Sequence, residues 1–243
     1  MTKATPTLEI CVDSHAGLAA AIEGGADRIE LCAALDLGGL SPSLSLLKAA
    51  QDCPVPVYCM VRPRPGDFVF SLAEIAGMCA EIAQIRDLGL AGVVLGAGSP
   101  DGLDVAALKT QAAAAEGLGR TLHRVVDISD DPIHAVDIAS DLGFERVLTS
   151  GGAPKAIEAV DKIASMVSAA PEGLSVMPGG GVTPDNAANI LHRTGAHEIH
   201  GSARRITAAG SSKLRELEFI GDQQRETDAA TVRALKEAIR QST

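Results

Sequence analysis

Three features of the sequence predict an α/β protein built as one (β/α)8 barrel of the TIM type. Short apolar, β-branched runs alternate with Ala/Leu-rich stretches of helical length along the whole chain. A helix-ending glycine followed by a short strand recurs as Gly25-Ala-Asp-Arg-Ile-Glu-Leu31, Gly89-Leu-Ala-Gly-Val-Val-Leu95, Gly143-Phe-Glu-Arg-Val-Leu-Thr149 and Gly195-Ala-His-Glu-Ile-His-Gly201, at intervals of 64, 54 and 52 residues. Each interval holds two βα units, a quarter of an eightfold ring, which favours a closed barrel over an open doubly wound sheet. The length of 243 residues suits one such barrel, and no Pro/Gly/Ser-rich linker divides it. Residues 1–243 are therefore expected to form a single domain.

The first strand is expected at Leu8–Val12, followed by a helix over Ser14–Gly24, and the second strand at Arg28–Leu31, followed by a helix over Ser41–Ala50. The third and fourth pairs are Val57–Val61 with Ser71–Leu88 and Gly92–Leu95 with Val105–Glu116. The fifth and sixth are Thr121–Val125 with Pro132–Leu142 and Arg146–Thr149 with Pro154–Ala169. Ser175–Met177 with Pro184–Thr194 and Glu198–His200 complete the strands. Ser, Asp or Pro at several helix starts supply the caps. A C-terminal helical segment, residues 206–243, contains the amphipathic stretch Thr227–Ile239. It rests on amphipathicity alone, so the eighth helix is where the barrel is expected to be incomplete.

Strand periodicity of two then sorts the side chains. In the first strand Leu8, Ile10 and Val12 must face the helices, which turns Glu9, Cys11 and Asp13 inward. The same rule sends Arg28, Glu30 and Cys32, then Tyr58, Met60 and Arg62, His123 with Asp127, and Glu198, His200 and Ser202 into the barrel. Ile29 and Leu31 should point outward. Buried charges persist only when paired or when they bind something, and the C-terminal face of such a barrel is where ligands are handled.

Composition limits the partners. There is no Trp, one Tyr and four Phe, too few aromatic faces for base stacking. A formal charge of −10 repels phosphate backbones and anionic lipid. Nucleic-acid and membrane partners are therefore not expected, and with no apolar leader or spanning run the protein is expected to be cytoplasmic. Five cysteines without a Cys-x-x-Cys motif fit reduced thiols. The expected assembly is a homo-oligomer, dimer or tetramer.

Several groups of residues compete for the chemistry. Cys11 and Cys32 face one interior from neighbouring strands about 5 Å apart, where two thiolates could hold a Cu(I) ion, with Met60 a third soft donor; the simpler reading is two small buried apolar groups. Glu30, Arg62 and His123, near the C-terminal ends of their strands, offer a catalytic base and an electrophilic clamp, or else a salt-bridge network that fills the barrel. Gly179, Gly180 and Gly181, with Gly201, Ser202 and Arg204, could wrap an anion with backbone N–H groups; turn chemistry is the alternative. His15, His134, His192 and His197 have no metal-ligand spacing and read as surface residues.

These residues fall within longer motifs: Glu9-Ile-Cys-Val-Asp-Ser14, Gly24-Gly-Ala-Asp-Arg-Ile-Glu-Leu-Cys32, Gly38-Gly-Leu-Ser-Pro-Ser43, Met60-Val-Arg-Pro-Arg64 with Gly66-Asp-Phe68, His123-Arg124 with Asp127, Gly143-Phe-Glu-Arg-Val-Leu-Thr-Ser-Gly151 and Met177-Pro-Gly-Gly-Gly-Val182. Together they resemble the CutC family of copper homeostasis proteins over roughly residues 7–205. The resemblance implies a (β/α)8 barrel, a cytoplasmic protein assigned to copper handling, a cysteine pair at Cys11 and Cys32, and polar mouth residues at Glu30, Arg62 and His123. One departure is Gly201-Ser-Ala-Arg204, where members often have Cys-Ser-Ala or Ser-Ser-Ala. Two functions are carried forward: a Cu(I)-binding protein using the barrel cysteines, or a lyase- or isomerase-type enzyme acting on a small phosphorylated or carboxylated metabolite. The partner is a copper ion in the first case and the anionic metabolite in the second.

Overall fold

The computed structural model describes residues 5–100, 102–207, 210–221 and 223–241. Eight parallel strands, β1 (Thr7–Val12), β2 (Arg28–Leu31), β3 (Val57–Met60), β4 (Gly92–Leu95), β5 (Gly119–Leu122), β6 (Arg146–Thr149), β7 (Ser175–Pro178) and β8 (Glu198–Gly201), form one sheet in the order β8-β1-β2-β3-β4-β5-β6-β7. The sheet curls until β7 and β8 lie side by side, leaving a nearly closed barrel. Pro178 contributes to the seam. Ser175 and Gly179 direct their N–H groups at β6, so strand alternation would aim the N–H of residue 178 at β8, and Pro178 has none.

Helices α1 (His15–Gly24), α2 (Leu44–Ala49), α3 (Leu72–Asp87), α4 (Val105–Ala114), α5 (Pro132–Asp141), α6 (Val160–Ala169) and α7 (Pro184–Thr194) follow the first seven strands. Polar caps start most of them: the Ser14, Ser43 and Asp104 side chains accept from the N–H groups of Gly17, Leu46 and Ala107, and Ser71 forms a reciprocal box with Glu74. The eighth helix, α8 (Ala229–Arg240), is present. It buries Val232, Leu235 and Ile239 and packs on both α1 and α7. The incompleteness anticipated at the eighth unit thus falls in the sheet, at the β7–β8 seam.

An insert precedes α8, in which Arg204–Thr207 pairs antiparallel with Gln224–Thr227 and a short helix, Ser212–Glu216, lies between them. Two expected elements differ in detail. The fifth strand ends at Leu122, and Arg124–Ile128 coil into a 3-10 turn. The stretch expected as one helix from Pro154 is a 3-10 turn at Ala156–Glu158 followed by α6. Among the described residues no helix is long and apolar enough to cross a membrane.

Two environments lie on the two faces of the sheet. Outward-facing Leu8, Ile10, Val12, Ile29, Leu31, Val147 and Ile199 are buried in the apolar layer beneath the helices. The inward face is charged. Glu9 is fully buried and ion-paired to Arg28; Arg28 also reaches Glu198 at 2.5 Å, and Arg146 meets the same Glu198 oxygen at 2.5 Å. Arg146 donates further to Thr121 (3.0 Å) and to Glu145 (3.3 Å), which accepts a hydrogen bond from Tyr58. Both guanidiniums stand over the Tyr58 ring, at 5.6 and 5.1 Å. Tyr58 fits across the barrel because Gly92 and Gly119 face it: a Cβ there would lie 2.4 and 2.2 Å from its side chain.

Docking of α8 depends on Gly24, where a Cβ would sit 2.4 Å from Cβ of Val232. Gly24→Ala is therefore expected to destabilise the fold by about 1–3 kcal/mol through overpacking, measured by urea unfolding. In an unpacked helix end the same change would stabilise by about 0.5–1 kcal/mol, so the sign of the shift reports the contact.

Candidate functional site

Above the Glu9–Arg28 layer the interior opens at the C-terminal ends of the strands into a cavity of about 290 Å³. Cys11, Glu30 and His200 form its floor, and Met60, Arg62, His123, Arg124, Leu148 and Arg204 are among its walls. Gly180, Gly181, Gly201 and Ser202 line the side formed by the loops after β7 and β8.

The floor is built from three adjacent strands. In the ladder Glu9 stands beside His200, and Cys11 stands opposite Glu30. Nδ1 of His200 lies 2.8 Å from a Glu9 oxygen, and Nε2 faces Glu30 at 3.7 Å. The Cys11 sulfur, a Glu30 oxygen and a His200 nitrogen all lie within 4.8 Å of one another, and all three residues are buried. Burial alone would raise the Glu9 carboxyl, but the His200 hydrogen bond and the charges of Arg28 and His200 hold it at about 2. Burial works against charge on His200 too, yet Cys11 and Glu30 facing the ring, with the bond to Glu9, hold the imidazole well above its usual range. Glu30 is pushed up by burial, with Glu9 adding to the effect. Burial also raises the Cys11 thiol, against the opposing pull of His200.

Cys32 is one inward position farther along β2 than Glu30. It is fully buried beside Met60, donates to Glu30 Oε2 at 3.6 Å and does not line the cavity. The expected pair of cysteines is therefore staggered, with the Glu30 carboxylate in contact with both environments.

On the wall, His123 Nδ1 accepts from the Val125 N–H at 3.1 Å, which leaves Nε2 to carry the ring proton. Burial, reinforced by the Arg62 charge, lowers its pKa to about 3, so the ring is a neutral N–H donor. Its place is made by Gly96, where a Cβ would fall 2.1 Å from the ring, and by Phe68, whose ring centroid is 5.0 Å away. The Arg62 guanidinium stacks on Phe68 and donates to the carbonyls of Leu37, Gly39 and Gly66, each at 3.0 Å. Among the described residues six buried side-chain polar atoms have no hydrogen-bond partner: Gln111 Oε1 and Thr207 Oγ1, which lie elsewhere, and Glu30 Oε1, Arg62 Nε, His123 Nε2 and Arg204 Nε. The last four residues line this cavity.

Not every expected residue is at the mouth. Gly179 lies beneath it and leaves space for Leu148 and His200; a Cβ there would come within 2.5 and 3.2 Å of them. Gly180 and Gly181 do line the cavity, in the left-handed conformation that favours glycine, with φ of 95° and 68°. Arg204 bonds Asp36 at 2.9 Å and the Arg225 carbonyl at 3.0 Å. Asp127, expected inside the barrel, lies beneath the β6 loop instead, accepting from Arg124, Thr149, Ser150 and the Gly152 N–H. Sequence reasoning missed Arg124. Its NH1 lies 3.3 Å from where a Gly180 Cβ would be, and Nε is fixed by Asp127 at 2.8 Å.

A buried histidine held neutral leaves a pH signature. The unfolded chain protonates His123 below its ordinary value near 6.5, while the folded chain resists down to about 3. Stability tied to this group is complete above 6.5 and is lost as pH falls between those values. His123→Gln is expected to flatten the acid-side loss between pH 6.5 and 4 by up to about 1.4 kcal/mol per pH unit, measured by urea unfolding of both proteins across that range.

The CutC family profile matches residues 6–205. The CutC family protein of Sinorhizobium medicae is 48% identical over 233 residues, covering 96% of this chain and 95% of that one; that of Caulobacter vibrioides is 46% identical over 236 residues, covering 96% of each. A crystal structure of Streptococcus agalactiae CutC, a protein named for copper homeostasis, superposes with a TM-score of 0.77 at 30% identity, covering 81% of this chain and 98% of that one. The Sinorhizobium alignment reaches past the family profile into the C-terminal segment, so the α8 region is shared with relatives. With the fold, the motifs and these likenesses in agreement, the chain belongs to the CutC family.

Proposed function

We propose that the barrel mouth binds a small phosphorylated or carboxylated metabolite, and that the protein is an enzyme of lyase or isomerase type. The observation that carries this reading is the set of four partnerless buried polar atoms, on Glu30, Arg62, His123 and Arg204, around one cavity. Buried polar atoms are normally satisfied, and those that are not commonly await a ligand or water. Arg62, Arg124 and the backbone at Gly180, Gly181, Gly201 and Ser202 would hold the anion, with Arg204 beside them. His123, a neutral N–H donor, would stabilise charge developing on a substrate oxygen. Glu30, whose affinity for a proton is raised by burial, would accept and return one. The five free cysteines suit a reducing, cytoplasmic setting.

Phosphate is the probe. For a site of millimolar affinity at 100-fold excess, the wild type should gain about 2.7 kcal/mol of stability, read by thermal unfolding against chloride of equal ionic strength. The Arg62→Ala, Arg204→Ala double variant and the Arg124→Ala variant should gain clearly less. Equal stabilisation in all three proteins would remove the anion pocket and the enzyme reading with it.

A second reading, Cu(I) as cargo, is favoured by the position of the Cys11 sulfur at the cavity floor, where an arriving ion meets it. Cys32 would supply the second thiolate on closing past Glu30, two soft donors being suited to a soft monovalent ion. Under reducing conditions the wild type should then take up about one Cu(I) against a competing chelator. The Cys11→Ser, Cys32→Ser double variant should take up none; unchanged uptake ends this reading.

A further inference from the structure

Where the staggered cysteines need movement to share one ion, Cys11, Glu30 and His200 already converge. We infer that these three residues form a site for a borderline divalent ion of the Zn2+ class, with its fourth position open to the cavity. Tetrahedral ligands at 2.0–2.3 Å from zinc stand roughly 3.3–3.6 Å apart. Donor atoms that are within 4.8 Å of one another on three rigid, adjacent strands need only small side-chain movements to reach that spacing. Three protein ligands and one open position is the arrangement of zinc sites that do chemistry.

The surroundings support the same ion. Metal-bound histidines characteristically give their other ring nitrogen to a carboxylate, and His200 Nδ1 is held by Glu9 at 2.8 Å. Glu30 Oε1 is buried without a partner, and Cys32 braces the other oxygen at 3.6 Å. Charge discriminates between ions. Glu9 is already compensated by Arg28, so a bound thiolate, carboxylate and neutral imidazole carry −2 between them. A dication cancels that charge, whereas Cu(I) on the same three donors leaves a buried negative charge, which is costly. The open position would take an oxygen of a small molecule in the cavity, and with the ion bound Glu30 acts as its ligand instead of carrying a proton.

The inference stands apart from the anion reading, because the metal alone is the probe. Under reducing, anaerobic conditions the metal-free chain should bind one Co2+ and develop a near-ultraviolet sulfur-to-cobalt charge-transfer band, which Zn2+ abolishes by displacement. Cys11→Ser should lose the band, and Cys32→Ser should keep it. Glu9→Gln should keep the band but weaken Co2+ binding about 10–100-fold. Glu30→Gln, which leaves the thiol in place but removes a ligand carboxylate, should keep the band and weaken Co2+ binding more than Glu9→Gln does. The site is overturned if the wild type shows no band, if the band survives Cys11→Ser, or if Cys32→Ser removes it. That last outcome would move the metal onto a two-thiolate site.

Discussion

A barrel whose inner wall is charged can fold only if every interior charge finds a partner, and Glu9 is where that requirement is concentrated. One of its oxygens holds Arg28 and the other holds His200. The first contact anchors the lower layer, in which Arg28 and Arg146 share Glu198 and sandwich Tyr58 against Gly92 and Gly119. The second fixes the His200 ring so that its remaining nitrogen faces Glu30. Truncating one partner of such a buried set leaves uncompensated charge, which typically costs about 3–5 kcal/mol. The same side chain thus supports the fold below and sets the geometry of the floor above.

The interior changes character at that level. Below it, carboxylates and guanidiniums meet in closed pairs. Above it, Arg62 is held by three carbonyls and His123 by one N–H, and each retains a polar atom without a partner. Closed networks add rigidity, whereas open ones at a cavity are available to a ligand. Four of the six unsatisfied buried groups among the described residues collect at the C-terminal ends of the strands, where this fold class places its chemistry.

Much of this was legible in the sequence because a strand has only two faces. Parity correctly turned Glu9, Arg28, Glu30, Tyr58, Arg62, His123 and His200 inward and Ile29 and Leu31 outward, and the glycine repeat marked the quarters of the ring. Parity assigns a side but not a height. Register decides which residues on neighbouring strands meet, and it set Cys11 opposite Glu30 rather than Cys32. Arg124 was hidden for a related reason: as a strand residue it would point away from the barrel, but the 3-10 turn after β5 swings it to the mouth. A glycine-rich loop makes Gly179 look like an anion donor, yet its place is dictated by the bulk of Leu148 and His200. The insert before α8 carries no local pattern that would reveal its antiparallel pairing.

Charge also decides where within the mouth an anion would settle. The whole chain carries −10, so attraction must be local. Of the three arginines at the cavity, Arg124 is paired with Asp127 and Arg204 with Asp36. Arg62 is bonded to carbonyls, which orient a guanidinium without cancelling its charge, and among the described residues it has no salt bridge. Its charge also helps to keep His123 neutral, so one arginine supplies the positive potential and preserves the neighbouring N–H donor. The anionic group should therefore be drawn toward Arg62 and His123, with the paired Arg124 and the left-handed Gly180–Gly181 turn completing its surroundings. Beneath that position the cavity floor is Cys11, Glu30 and His200, whose donor atoms converge within 4.8 Å of one another.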